Sequence, residues 1–233
     1  MKPTLLLVHG AWHNAAGFSA LQKELAALNI KSVTVELPSV GLANAALGDM
    51  YADAAVVHKA INSIDGDCVV LGHSYGGVVI TQGAAGCSNV KRLIYMTAFM
   101  LDAGESLFAA VGGVAPDWWE EAPDKSRLTA NIPENIFYNM CTPEVAKKAP
   151  AALRTQSLVA FNQPLTEVAW KQVPSSYIIC DQDNAIPVFA QEAMSGRATD
   201  VVRIESDHSP FLCCTKELAQ IINTIMSKES KDY

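Results

Sequence analysis

Short apolar runs alternate with stretches in which apolar residues return every three or four positions, and this alternation governs most of the chain. Thr4 to Val8 is a short, mostly apolar run ended by His9-Gly10, after which Phe18, Leu21, Leu25 and Leu28 recur at helical spacing. Lys31 to Val35 reads as a second strand, stopped by Leu37-Pro38, and Met50, Ala54, Val57, Ile61 and Ile64 trace one face of a second helix. Cys68-Val69-Val70-Leu71 is a fully apolar strand between Gly66-Asp67 and Gly72, and the small residues from Tyr75 to Ala85 suit a helix lying close on a sheet. Val90 to Met96 is the next strand. Strands separated by helices need crossover connections, so the pattern predicts an α/β fold: a mostly parallel sheet flanked by helices on both faces.

From about Met100 to Trp170 the rhythm breaks. Prolines fall at 116, 123, 133, 143, 150 and 164, and Trp118-Trp119 and Phe137-Tyr138 appear without a strand signal. This stretch is expected to form a small helical cap inserted into one domain spanning 1–233. The α/β pattern then resumes with a strand at Ser175 to Cys180, a helix near Pro187 to Met194, a strand at Val201 to Ile204 and a helix from about Thr215 to Met226. The polar end from Ser227 to Tyr233 is expected to fray.

A chain of 233 residues, half of them hydrophobic and 18% charged, is long enough to bury a sizeable core. A net charge of -7 without a basic stripe argues against nucleic acid and anionic membranes as partners. The apolar run at the start is too short for a secretory signal, and no window reaches the roughly 18 apolar residues of a membrane span. A soluble cytoplasmic protein, monomer or homodimer, is expected. The six cysteines, Cys68, Cys87, Cys141, Cys180, Cys213 and Cys214, show no metal-ligand spacing, and two lie in strands, so free thiols without a metal are expected.

Gly72-His73-Ser74-Tyr75-Gly76 matches G-x-S-x-G, in which a serine sits on a strained turn from strand to helix. It lies between an unbroken apolar strand and a small-residue helix, the setting such an elbow requires. A serine hydroxyl needs a general base, and in this arrangement the partners follow in the order Ser, acid, His. Of the five histidines only His208 follows the last strand, in the loop Glu205-Ser206-Asp207-His208-Ser209-Pro210 at a strand's carboxyl end. His9 and His73 are expected to hold loops through ring hydrogen bonds. Asp181 and Asp183, one residue apart after the preceding strand, are both candidates for the acid, and Asp102 is a third; spacing does not separate them. An oxyanion needs two backbone N–H donors, and Ala11 in His9-Gly10-Ala11-Trp12 and Tyr75 after the serine occupy those places.

With these residues assembled, the chain resembles the small α/β-hydrolases that include EstC-like bacterial esterases, plant methylesterases and plant hydroxynitrile lyases. The likeness spans almost the whole chain and rests on Leu7 to Trp12, Gly72 to Gly77, Ala98-Phe99, Asp181 to Asp183 with Ile186-Pro187, and Asp207 to Ser209. It implies the α/β-hydrolase fold, a cap over the serine, and the second aspartate, Asp183, as the acid of a Ser74-Asp183-His208 triad. The lyases carry threonine where this chain has Gly10 and lysine where it has Ser209, which points to hydrolysis of small carboxylic esters through an acyl-enzyme. Lyase-like or other cofactor-free chemistry, or a receptor on the same fold, are the alternatives. The expected chemistry needs no cofactor or metal. Trp12, Phe99, Trp118, Phe137, Leu158 and Phe161 are candidate pocket residues, and a small apolar cap suits an ester better than an extended peptide.

Overall fold

The structure, a computed structural model, describes residues 2–228. Of the polar end expected to fray, 229–233 lie outside the described residues, while Ser227 and Lys228 close the last helix. The chain begins with β1 (Thr4–Val8), α1 (Ser19–Ala27), β2 (Ser32–Thr34), β3 (Val40–Gly41), α2 (Met50–Ser63), β4 (Cys68–Ser74), α3 (Gly76–Gly83) and β5 (Val90–Ala98). Next come α4 (Leu107–Ala110), β6 (Trp119–Glu121), β7 (Arg127–Ala130), α5 (Pro133–Phe137), α6 (Pro143–Lys148), β8 (Thr155–Ser157) and α7 (Leu158–Asn162). It ends with β9 (Ser175–Cys180), α8 (Val188–Ser195), β10 (Asp200–Ile204), α9 (Pro210–Cys213) and α10 (Thr215–Lys228).

Six strands in the order β10-β9-β5-β4-β1-β2 form a sheet whose pairings are all parallel. Successive side chains of a strand point to opposite faces. Leu5, Leu7, Val69 and Leu71 therefore pack with Leu21 and Leu25 of α1 and Leu218 and Ile222 of α10, and Leu6, Val8 and Val70 with Val57 and Ile61 of α2 and Val78 of α3. Burial on both faces is why these strands read as unbroken apolar runs. No helix among the described residues is long and apolar enough to cross a membrane.

The cap segment holds the expected short helices, and between them lie three short strands that periodicity did not predict. They join β3 in an antiparallel sheet of order β3-β8-β7-β6. Trp119-Glu120-Glu121 has no buried residue and Arg127 to Ala130 buries only Leu128, so these strands offer too few alternating positions to register as a pattern. Because β3 belongs to the loop after β2, the sheet stitches the cap to the α/β body.

A buried polar cluster lies at that seam. Asp53 of α2, fully buried, accepts the Ser39 N–H at 2.8 Å, the Ser39 hydroxyl at 2.5 Å and the Tyr75 phenol at 2.6 Å. Ser39 in turn accepts from Gln156 Nε2 at 3.0 Å and from the Ser157 N–H at 2.8 Å, both in β8. Three donors favour the carboxylate, but burial outweighs them, with Asp49 adding repulsion, and pushes the Asp53 pKa up to about 6. The folded chain thus holds this proton more tightly than the unfolded one, whose ordinary value is 3.8. The stabilisation is complete below pH 3.8 and is lost as pH rises to about 6. The stability of the wild type relative to Asp53→Asn, which cannot titrate, should fall by about 3 kcal/mol between pH 3.5 and 7 in urea unfolding; a difference independent of pH would contradict the raised pKa.

Candidate active site

β1 and β4 are neighbours in the sheet, and the chain leaves them toward opposite edges, β1 for β2 and β4 for β5. Such a reversal opens a crevice at the carboxyl ends of the strands. Ser74 stands there as the last residue of β4, with a left-handed backbone at φ +54°. Close backbone approach encloses this turn. A Cβ on Gly72 would lie 2.6 Å from the Gly76 carbonyl oxygen, and one on Gly76 would lie 2.7 Å from that of Val8. A Cβ on Gly10 would come within 2.8 Å of Ser74 Cβ and 2.9 Å of His73 Nδ1. The strained serine is thus wedged against the β1 loop, its side chain facing a cavity.

β9 and β10 deliver the acid and base candidates side by side. His208, 2% exposed, donates from Nδ1 to Asp183 Oδ2 at 2.7 Å and shares the cavity with Ser74. Asp183 Oδ2 also accepts from the Thr97 hydroxyl and from Gln191 Nε2 at 3.3 Å, while Oδ1 takes the N–H groups of Ala185 at 2.6 Å and Ile186 at 3.0 Å. These donors hold the carboxylate in one orientation. The other two aspartates are engaged elsewhere: Asp181 pairs with Arg203, and Asp102 with Lys171. Of the three candidates left open by spacing, only Asp183 meets the histidine.

Three further histidines build the surrounding loops. His9 donates from Nδ1 to the Gly10 carbonyl at 2.9 Å and accepts the Leu37 N–H at Nε2 at 3.2 Å. His13 donates from Nδ1 to the Ala11 carbonyl at 2.9 Å and accepts the Tyr138 hydroxyl at Nε2 at 3.1 Å. His73 donates from Nε2 to the His208 carbonyl at 2.8 Å. Burial lowers the pKa of His9 to about 4 and of His13 to about 3, and holds His73 well below the ordinary value. All three are therefore neutral at pH 7. The loops they brace present Ala11 and Tyr75 to the cavity, and no hydrogen bond among the described residues takes the N–H of either.

The cavity beside Ser74 holds only about 30 Å³. Of the candidate pocket residues, Trp12, Phe99, Trp118, Phe137 and Phe161 line it. Leu158 does not, which corrects the expectation: at the start of α7 its amide donates to Ser126, and its side chain packs into the core while Phe161, one turn later, faces the cavity. Leu107, Trp119, Ala185 and Ile186 line the cavity and were not singled out as pocket residues; Trp119 shared a visible aromatic pair, and Ile186 a motif. Trp12 packs against Trp118 and Phe137 with ring centroids 5.4 and 5.8 Å apart and donates from Nε1 to the Leu128 carbonyl, tying its loop to the cap.

The fold also gathers Cys141, Asp207 and Cys213, whose candidate ligand atoms lie within 4.8 Å of one another, a grouping hidden by a separation of many residues in sequence. Asp207 is already occupied there, accepting from the N–H groups of Ser209 and Met140 and from the Cys213 thiol. The side-chain contact with Cys141, then burial, raises the pKa of that thiol and keeps it protonated, so it holds Asp207, the residue before His208, through a hydrogen bond.

The family described as alpha/beta hydrolase matches residues 5–221. Alpha/beta hydrolase nvfD of Aspergillus novofumigatus is 31% identical, covering 91% of this chain and 92% of its own. Methylesterase 2 of Arabidopsis thaliana is 23% identical over 91% of each chain. The structure of a pyrethroid hydrolase from Sphingobium faniae superposes with a TM-score of 0.85 at 23% identity, covering 100% of both chains. With its parallel sheet, its serine elbow and a family match running from β1 into α10, the chain belongs to the alpha/beta hydrolase family.

Proposed function

We propose that this chain is a serine hydrolase of small carboxylic esters, with Ser74 as nucleophile, His208 as general base and Asp183 as the group that orients it. Its main support is the histidine. His208 Nδ1 is held by a carboxylate, which leaves Nε2 to serve the cavity it shares with Ser74. Ester relatives such as Methylesterase 2 point the same way.

In the proposed cycle, His208 Nε2 takes the Ser74 proton as Oγ attacks the ester carbonyl, and the unclaimed N–H groups of Ala11 and Tyr75 hold the oxyanion. The tetrahedral intermediate collapses as the C–O bond to the alcohol breaks and the imidazolium returns its proton to the leaving oxygen. Water, deprotonated by the same imidazole, then releases the acid and restores Ser74. Asp183 steadies the imidazolium throughout. A lyase reading is disfavoured at Gly10, where even a methyl group would collide with Ser74 and His73.

Ser74→Ala should abolish hydrolysis of p-nitrophenyl acetate, and a fluorophosphonate should label Ser74 in the wild type, located by peptide mass spectrometry; unchanged turnover in the variant would refute the assignment. Asp183→Asn should lower kcat by about 10³- to 10⁴-fold by favouring the wrong tautomer of His208. Asp181→Asn and Asp102→Asn, whose parents pair with Arg203 and Lys171, should leave kcat within about twofold of wild type.

A further inference from the structure

The space around the serine is divided unequally. The chamber holding Ser74 and His208 has about 30 Å³, room for little more than a water or a two-carbon fragment. Beyond it lies a cleft of about 840 Å³ between α4 and α8. The two share Phe99, Val111, Pro116, Trp118, Ala185 and Ile186, which form a neck between them. The cleft is thus an extension of the reaction chamber.

Its chemistry is one-sided. The only charged groups in its lining, Glu105 and Arg197, satisfy each other through paired bonds of 2.7 and 2.9 Å, and Arg197 also donates to the Met100 carbonyl. Otherwise the walls are chiefly alanine, Met194 and aromatic rings, with Phe189 three-quarters exposed at the rim. Such a surface suits a bulky uncharged apolar group.

The neck also has a direction. Ala185 and Ile186 hang on Asp183 through their backbone N–H groups, and Asp183 holds His208, so the cleft opens on the side of the acid and the base. Ala11 and Tyr75, with Trp12, Trp119 and Phe161, line the chamber and not the cleft. In ester cleavage the leaving oxygen must face the histidine that protonates it, while the acyl group stays on the serine.

We infer that the preferred substrates are short-acyl esters, acetate-sized, of bulky apolar alcohols, with the alcohol in the outer cleft and the acyl group in the inner chamber. This rests on the serine esterase reading above. Ser74 Oγ bonds to the acyl carbon, the bond from that carbon to the bulky alkoxide oxygen breaks, and the alcohol departs with the proton carried by His208. Water then frees the short acid.

Two isomeric esters test the orientation at equal size and similar intrinsic reactivity: 2-naphthylmethyl acetate and methyl 2-naphthylacetate. The acetate should be favoured in kcat/KM by about tenfold or more. Ala190→Trp and, nearer the rim, Ala193→Trp, both in the α8 wall of the cleft, should raise KM for 2-naphthylmethyl acetate far more than for ethyl acetate, with an unchanged circular dichroism spectrum to show that the variants fold. Preference for the methyl ester, or equal loss on both acetates, would overturn the inference while hydrolysis of p-nitrophenyl acetate left the esterase reading standing. Failure of the wild type on p-nitrophenyl acetate as well would overturn both.

Discussion

The left-handed backbone at Ser74 is the constraint around which the site is arranged. A residue with a Cβ holds φ +54° only where its surroundings leave no alternative, at a cost on the order of 1 kcal/mol or more. Here the surroundings are backbone. Gly72 meets Gly76, Gly76 meets the end of β1, and Gly10 meets the serine itself, each so closely that no side chain would fit. The same contacts bring the Ala11 loop beside the elbow. Strain at Ser74 and placement of the Ala11 and Tyr75 N–H groups therefore follow from one packing arrangement, anchored in the central strands of a sheet buried on both faces.

Two linkages carry that arrangement outward into the cap. Trp12 continues the β1 loop into a cluster of cap aromatics, and the Arg154 N–H returns to the Trp12 carbonyl. Tyr75, next to the serine, reaches through its phenol to Asp53 and through Ser39 to Gln156 and Ser157 of the cap sheet. Ala11 and Tyr75, which line the cavity, are thus the residues whose side chains or neighbours grip the cap. A displacement of the cap would be felt at both N–H groups, which gives the antiparallel sheet of β3, β8, β7 and β6 a bearing on the site that its small size conceals.

What could be read from the sequence follows from how each feature is encoded. The central strands were legible because burial on both faces writes an unbroken apolar run, and the elbow because glycine is demanded on both sides of Ser74. His208 could be placed by order along the chain. The acid was different: Asp181 and Asp183 share a loop, and what separates them is that one turns to Arg203 while the other collects Thr97, Gln191 and two loop amides around His208. Those partners come from β5 and α8, and no local pattern encodes them. Leu158 was misplaced for a related reason, since aromatic and aliphatic residues of a short cap helix look alike until the helix is oriented. The Asp53 cluster left no trace, because a single aspartate inside an amphipathic helix reads as a solvated position.

The histidines show why a crowded site offers one candidate base. His13, His73 and His208 lie in a row, the first pair edge to face and the second tilted, with ring centroids 5.5 and 4.6 Å apart, so a second proton in the group would repel the first. Burial removes the competition by holding His9, His13 and His73 neutral. His9 and His13 have both nitrogens engaged. His73 spends Nε2 on the His208 carbonyl and buries Nδ1 without a partner, a cost of about 1–3 kcal/mol accepted beside the reacting group. Only His208 combines a carboxylate at one nitrogen with a second nitrogen that takes no partner among the described residues, in a ring that lines the cavity. In the proposed mechanism, a cation formed there on attack by Ser74 would meet Asp183 on one side and uncharged rings on the other, an arrangement suited to an imidazolium.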